Sequence, residues 1–290
     1  MSESQKLKQV AAVFFKLGLF AFGGPAAHIA MMEHEVVTKR AWMTREHYLD
    51  LIGATNLIPG PNSTEMTMHC GFQRAGKKGL FIAGISFIFP AVFITAILGY
   101  LYVLYGALPQ VQPFIKGIQP AVMAIIASAV IKLGKKALKN WELAVLGSLF
   151  LIASLLGINQ ILLLLGGGIA GMCLFLMRSK IQHTTPLYAP TFMIFIVSEI
   201  GAKLTTVGIF LKFLKVGSIL YGSGYVLFAY LDTELVTTAL LNQGQLIEAI
   251  GIGQFTPGPV LSTATFIGYQ LGGFWGAIAA TAGIFMPSFL

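Results

Sequence analysis

LIGATNLIPGPNST, residues 51–64, returns as AIGIGQFTPGPVLS at residues 249–262. Ile52-Gly53 falls on Ile250-Gly251, Pro59-Gly60-Pro61 on Pro257-Gly258-Pro259, and Asp50 on Glu248. Outward from there, KLGLFAFGGP (16–25) matches KVGSILYGSG (215–224), which pairs Lys16 with Lys215, Gly18 with Gly217 and Gly23 with Gly222. GFQRAGKKG (71–79) matches GYQLGGFWG (268–276), and Pro90 matches Pro287. The offset stays between 197 and 199 over about 75 residues, a register that scattered Gly and Pro coincidences would not hold. The chain is a duplicated unit.

The solvent of that unit follows from composition. Of 290 residues, 56% are hydrophobic and 10% charged, and the mean hydropathy is +0.79. Soluble domains carry about 25% charged residues. So few charges cannot cover an aqueous surface of this size, which excludes an ordinary cytosolic enzyme, a disordered chain and a nucleic-acid-binding domain. The expected class is an all-α polytopic membrane protein in contact with the lipid bilayer. Glycines (33) and prolines (12) fit it, because transmembrane helices tolerate both. Cys70 and Cys173 make no disulfide framework. The N-terminus lacks a small-residue cleavage site and reads as mature sequence.

Charge then separates the two copies. Acids are shared, Glu33 and Glu35 falling on Asp232 and Glu234. The polar connections of copy one also carry Lys39, Arg40, Arg45, Arg74, Lys77 and Lys78, whereas the matching connections of copy two carry no base. Basic loops stay cytoplasmic, so equivalent loops lie on opposite sides of the membrane: the repeats are inverted. The net charge of +8 records orientation and does not signal a polyanion partner. The basic clusters at 39–45 and 74–78 flank 49–69, which predicts a re-entrant hairpin with its tip at Pro59-Gly60-Pro61. Copy two would insert its hairpin from the other face, with its tip at Pro257-Gly258-Pro259. The first segment, 10–32, either spans or breaks at Gly23-Gly24-Pro25. Residues 141–177 read as an apolar hairpin turning at 157–160.

Two prolines around a glycine break a helix, and the freed backbone groups survive in a membrane only when packed in protein or lining a wet cavity. Behind each tip stand capping residues, Asn62, Ser63 and Thr64 in copy one and Ser262 and Thr263 in copy two. A half-helix N-terminus with free N–H groups suits an anion. Gly23-Gly24 and Gly222-Ser223-Gly224 permit a bend or close helix approach beside the tips. Lys16 and Lys215, at matched places in apolar stretches, either offset an oxyanion's charge or snorkel to the interface. Lys212 has no match and reads as interfacial. Glu65, just past the first tip, is a proton-coupling candidate, replaced by Thr263 in copy two. Asp50 and Glu248 are expected to open the hairpins, where an acid favours the helix dipole. His28 follows the glycines by one turn and reaches toward the site. His34 and His47 fit no metal motif, and no nucleotide, hydrolase or zinc signature occurs. No enzyme activity, metal or cofactor is expected.

At FAFGGPAAH (20–28), NLIPGPNST (56–64), VGSILYGSGYVL (216–227) and QFTPGPV (254–260), the chain resembles the chromate ion transporter family over nearly its whole length. The resemblance implies a bacterial inner-membrane protein that exports chromate, a sulfate-like dianion, and so confers chromate resistance. It carries Gly23, Gly24, Pro25, Asn56, Pro59, Gly60 and Pro61 over from the first-half motifs, and Gly222, Gly224, Gln254, Pro257, Gly258 and Pro259 from the second. It divides the chain into a first repeat (1–177), a linker (178–190) and a second repeat (191–290). The second repeat lacks a counterpart of 94–177, which is expected of a fragment or a shortened member. The expectation is therefore a chromate transporter, with a homodimer among its assembly states. The alternatives are a transporter or channel for sulfate or another inorganic anion, and a transport-inactive membrane subunit.

Overall fold

The fold is taken from a computed structural model, which describes every residue except Met1, Leu57, Pro59, Lys139, Asn159, 179–204 and 221–225. Pro59, the Gly222-Ser223-Gly224 element and nearly all of the expected linker lie outside the described residues. Helices run in the order α1 (Glu3–Phe20), α2 (Gly24–Glu33), α3 (Arg45–Thr55), α4 (Asn62–Tyr105), α5 (Gln112–Ala137), α6 (Trp141–Leu155), α7 (Gln160–Arg178), α8 (Thr206–Ile219), α9 (Val226–Leu231), α10 (Gln243–Phe255) and α11 (Thr263–Phe285). Among the described residues there is no strand. One compact unit gathers Met1–Ala124 and Ile200–Leu290, and a second contains Ile125–Glu199. In the second, α6 and α7 form the expected apolar hairpin, with Phe150 of α6 against Gly166 and Gly167 of α7.

The first segment does break. α1 ends at Phe20, Gly23 and Gly24 take φ of 102° and 79°, and Pro25 opens α2. The chain then doubles back: Phe14 meets Trp42 at 6.3 Å between ring centroids, and Lys16 reaches Glu35 at 3.9 Å. A continuous helix would set residues 16 and 35 about 28 Å apart. Polar residues collect at one end of this hairpin. Lys78 pairs with Glu3 (3.1 Å), Arg74 donates to Gln9 (2.9 Å) and lies over the Trp42 ring, and Arg45 pairs with Glu33 (3.0 Å). Both basic clusters of copy one therefore share one end, as a re-entrant hairpin between them requires.

The duplication is visible in backbone detail. α4 is kinked at Ala75 (φ −145°, ψ 24°) and Gly76 (φ 64°, ψ −156°), and α11 at Gly272 (φ −149°, ψ 21°) and Gly273 (φ 61°, ψ −148°). A π-helical turn follows α2 at His34–Lys39 and α9 at Asp232–Val236. Each precedes an alanine of positive φ, Ala41 or Ala239. α1 crosses α4 so closely that a Cβ on Gly18 would sit 2.4 Å from the Phe87 carbonyl oxygen. α8 crosses α11 with Gly217 in the same relation to Ile284, at 2.5 Å.

The copies run in opposite senses. Beyond its kink α4 packs along α11 and the turn that follows it, with Phe81 on Phe289, Tyr100 on Tyr269 and Tyr102 on Phe266, so one number rises as the other falls. Asn62–Tyr105 and Val260–Phe289 are the two described stretches long and apolar enough to cross a membrane. This is an all-α architecture of inverted repeats with broken, re-entrant helices.

Candidate anion site at the crossed hairpin tips

Each tip docks on the other repeat. The Gly60 N–H donates to the Leu220 carbonyl (2.6 Å), just past α8, and the Gly258 N–H donates to the Ala21 carbonyl (2.9 Å), just past α1. Ala21 and Leu220 are themselves matched positions. A half-helix start is thus held against the end of a broken helix from the opposite copy, twice, about a pseudo-two-fold. Both glycines have positive φ, 140° and 82°. Neither has room for a side chain. A Cβ on Gly60 would fall 2.0 Å from Glu65 Oε1 and 2.9 Å from Ser288 Oγ. One on Gly258 would fall 2.8 Å from Ala91 Cβ and 2.9 Å from the Gly18 carbonyl oxygen.

The residues behind the tips are buried, but they do not cap in the expected way. Pro61 occupies the N-cap of α4, so Asn62, Ser63 and Thr64 fall inside the first turn, too far along for their side chains to accept from its N–H groups. Asn62 Nδ2 donates to Asn56 Oδ1 (2.5 Å), and Asn56 Nδ2 to the Ile52 carbonyl (2.7 Å). In copy two a 3₁₀ turn at Val260–Ser262 intervenes, Thr263 Oγ1 donates to the Val260 carbonyl (2.7 Å), and α11 has no side-chain cap. Both half-helix starts keep their N–H ends free of side-chain caps, which leaves the dipole ends available to an anion. Pro257 and Pro259 are buried and Gln254 half-buried. The side-chain oxygens Asn62 Oδ1, Thr64 Oγ1, both of Glu65, Ser262 Oγ and Ser288 Oγ are buried with no hydrogen-bond partner among the described residues. Such groups are costly unless something polar meets them.

His28 lies behind the second tip: its Nε2 is 3.1 Å from the Ala21 carbonyl oxygen that also receives Gly258, and its ring stands edge-on to Phe87 at 5.6 Å. Lys16 and Lys215 end in ion pairs, with Glu35 (3.9 Å) and Glu234 (2.5 Å). Lys212 joins Glu234 at 3.7 Å, and Lys39 and Arg40 join Glu35, so these five bases are tied to the π-turns. Asp50 and Glu248 lie mid-helix in α3 and α10, not at their starts, because each hairpin helix is capped six residues earlier, at Thr44 or Asn242. Glu248 instead accepts from Tyr102 (2.5 Å) and Gln119 (3.0 Å). Three contributors were not singled out from sequence: the Ala21 and Leu220 carbonyls, and Ser288. The first two stand two residues before the matched glycines Gly23 and Gly222. Ser288 follows the matched Pro287, where Ala91 follows Pro90.

Inverted repeats whose broken helices cross-dock at uncapped half-helix starts define a membrane transporter of the inverted-repeat class. The chain belongs to the chromate transporter family, whose profile matches residues 8–172 and 207–290. It is 31% identical to the chromate transport protein of Cupriavidus metallidurans over 98% of this chain and 72% of that protein. It is 29% identical to a probable chromate transport protein of Synechococcus elongatus over 98% of this chain and 74% of that one. The chromate transport protein of Pseudomonas aeruginosa is 28% identical over 97% and 70%. No solved structure matches the chain at a significant level.

Proposed function

We propose that this protein is a multi-pass transporter of the bacterial inner membrane that exports chromate, and carries sulfate by the same chemistry, between the two crossed tips. The observation that carries this reading is the reciprocal docking of Gly60 on Leu220 and Gly258 on Ala21, which brings uncapped half-helix starts to pseudo-equivalent places. A tetrahedral dianion offers oxygens to the N–H groups of the half-helix starts, and the Asn62, Thr64 and Ser262 oxygens, unpartnered among the described residues, mark a polar lining that hydroxyl and amide rotation can adapt to it. Asn56, Pro59, Pro61, Ser63, Pro257, Pro259 and Thr263 shape the tips, and Gln254 stands where Asn56 stands in the other copy. Gly23 and Gly24 bend the chain beside them, Gly222, Ser223 and Gly224 are their matched counterparts in sequence, and His28 supports the Ala21 carbonyl. Lys16 and Lys215 contribute long-range attraction from their ion pairs. Glu65 carries a coupling proton: a carboxylate and a dianion repel each other at this depth, so loading the anion and neutralising Glu65 are linked. Rocking one repeat against the other alternates exposure. No chemical conversion of the anion is involved.

The test is flux of radiolabelled chromate and sulfate into and out of proteoliposomes holding the full chain. Saturable uptake of both, with a pH gradient altering the rate, is the expected result. Non-saturating flux would make the protein a channel, and no flux from correctly inserted protein would remove the transport reading.

A further inference from the structure

The basic end of copy one holds a groove that the anion site does not use. It lies between α1 and the part of α4 beyond the kink, with a volume of about 420 Å³. Leu7, Ala11 and Ile82, all half-buried, make its floor, and Lys8, Lys78 and Glu3, all exposed, stand over it. Among the described residues the groove's one ion pair is Lys78 with Glu3 (3.1 Å), and Lys8 is left without an acid. Both partners of that pair are mostly exposed, 73% and 64%, so it is weakly held. The floor continues along α4. Lys78, Ile82, Ile85 and Phe89 follow one another at spacings of three or four residues and share one stripe of the helix. Ile85 and Phe89 are exposed and line a second groove of about 300 Å³, whose opposite wall includes Ala282, Phe285 and Phe289. Lys78 to Phe89 spans about 16 Å of helix, half of a hydrocarbon core roughly 30 Å thick.

The matched place in copy two is built differently. Val207 stands where Lys8 stands and Trp275 where Lys78 stands, and both are exposed. The α1–α4 and α8–α11 crossings are alike, so the two bases are a property of copy one and not of the crossing. Bases over an apolar track of one leaflet's depth complement a molecule that joins a phosphate to a hydrocarbon chain. A soluble anion would leave the track unused, and a lipid without net charge would leave the bases unpaired. We propose that this groove binds an acidic glycerophospholipid, its phosphate between Lys8 and Lys78 and one acyl chain along Ile82, Ile85 and Phe89. Binding draws Lys78 from Glu3 to the phosphate. The proposal stands apart from the transport reading: no residue of either tip lines the grooves, and a protein that moved no chromate would still hold the lipid.

The test is native mass spectrometry of the full chain in detergent, titrated with dimyristoyl phosphatidylglycerol or with dimyristoyl phosphatidylcholine, which has the same acyl chains. Phosphatidylglycerol should bind about tenfold tighter. Lys8→Gln together with Lys78→Gln should remove that advantage and bring it to the level of phosphatidylcholine. Lys116→Gln together with Lys135→Gln, which removes two exposed bases elsewhere, should leave the advantage intact. Ala11→Trp fills the floor at unchanged charge and should weaken both lipids. Glu3→Gln should tighten phosphatidylglycerol about two- to threefold by freeing Lys78. Equal wild-type affinity for the two lipids overturns the proposal. So does an advantage that survives loss of Lys8 and Lys78, or one lost equally in the Lys116 and Lys135 pair, which makes it an effect of net charge. Displacement of phosphatidylglycerol by inorganic phosphate alone overturns it too, by making the groove a site for a free anion.

Discussion

The two tips share a backbone and differ in chemistry. Gly60 and Gly258 each donate across to the opposite repeat, each has positive φ, and each is backed by a residue following a matched proline. Around Gly60, however, the close neighbours are Glu65 and Ser288; around Gly258 they are Ala91 and the Gly18 carbonyl. A scaffold with two equivalent halves has two equivalent ways of rocking, and nothing in its symmetry prefers one face of the membrane. Preference has to come from residues that break the symmetry, and among the described residues the carboxylate buried at a tip is Glu65, with Thr263 in its place in copy two. On the proposed reading the shared features carry the mechanics and the unshared ones the direction.

The largest effect is expected where both halves are alike. Gly60→Leu and Gly258→Leu should each reduce chromate flux to background while the protein still reaches the membrane. Each forces a side chain into a left-handed residue, at about 1–2 kcal/mol, and into atoms under 3 Å away. Substantial flux in either variant would separate that tip from the site. Next comes the asymmetry. Glu65→Gln should keep saturable flux but make its rate indifferent to a pH gradient, and Thr263→Val should leave the gradient effect intact. A gradient response that survives Glu65→Gln would move coupling to another group.

The repeat, its inversion and the hairpin tips were legible because Gly and Pro constrain the backbone directly, and because Lys and Arg record topology residue by residue. The fate of the first segment was not, since the apolar length of 10–32 suits a crossing while Gly23-Gly24-Pro25 suits a break. The contact of Lys16 with Glu35, beside the Gly23-Gly24-Pro25 break, resolves it as a hairpin. The cross-docking on Ala21 and Leu220 was hidden for a simple reason: carbonyls belong to every residue, so no side-chain pattern announces them. Capping was misjudged by one position, because Pro61 takes the N-cap and pushes Asn62, Ser63 and Thr64 into the helix. Glu248 was misplaced because its partners, Tyr102 and Gln119, lie over 100 residues away in sequence.

A smaller effect should distinguish the hairpins' outer helices. Gly251→Leu drives a side chain into Ile118 and Val122 and should lower stability by about 1–3 kcal/mol, the usual range for overpacking. Gly53→Leu, with open space before it, should shift stability by no more than about 0.5 kcal/mol. Denaturation midpoints of the two purified variants in the same detergent give the comparison. Equal losses would mean that Gly53 is packed as closely as Gly251.

The smallest effects belong to the paired lysines, and they should be unequal. Lys215 is 2.5 Å from Glu234 with a side chain 27% exposed, and Glu234 keeps Lys212 at 3.7 Å when Lys215 is gone; Lys16 is 3.9 Å from Glu35 and 63% exposed, and Glu35 keeps both Arg40 and Lys39 when Lys16 is gone. Exposed pairs contribute about 0–1 kcal/mol and breaking buried ones costs several, so Lys215→Met should destabilise measurably and Lys16→Met hardly at all. What remains for Lys16 is its field at the tips. Its removal should weaken apparent chromate affinity about two- to threefold, more at low salt than at high, because a charge acting through water is screened within about 10 Å at 0.1 M. Affinity that does not move at either salt concentration would leave Lys16 an interfacial anchor and place the whole of the anion's attraction on the half-helix ends.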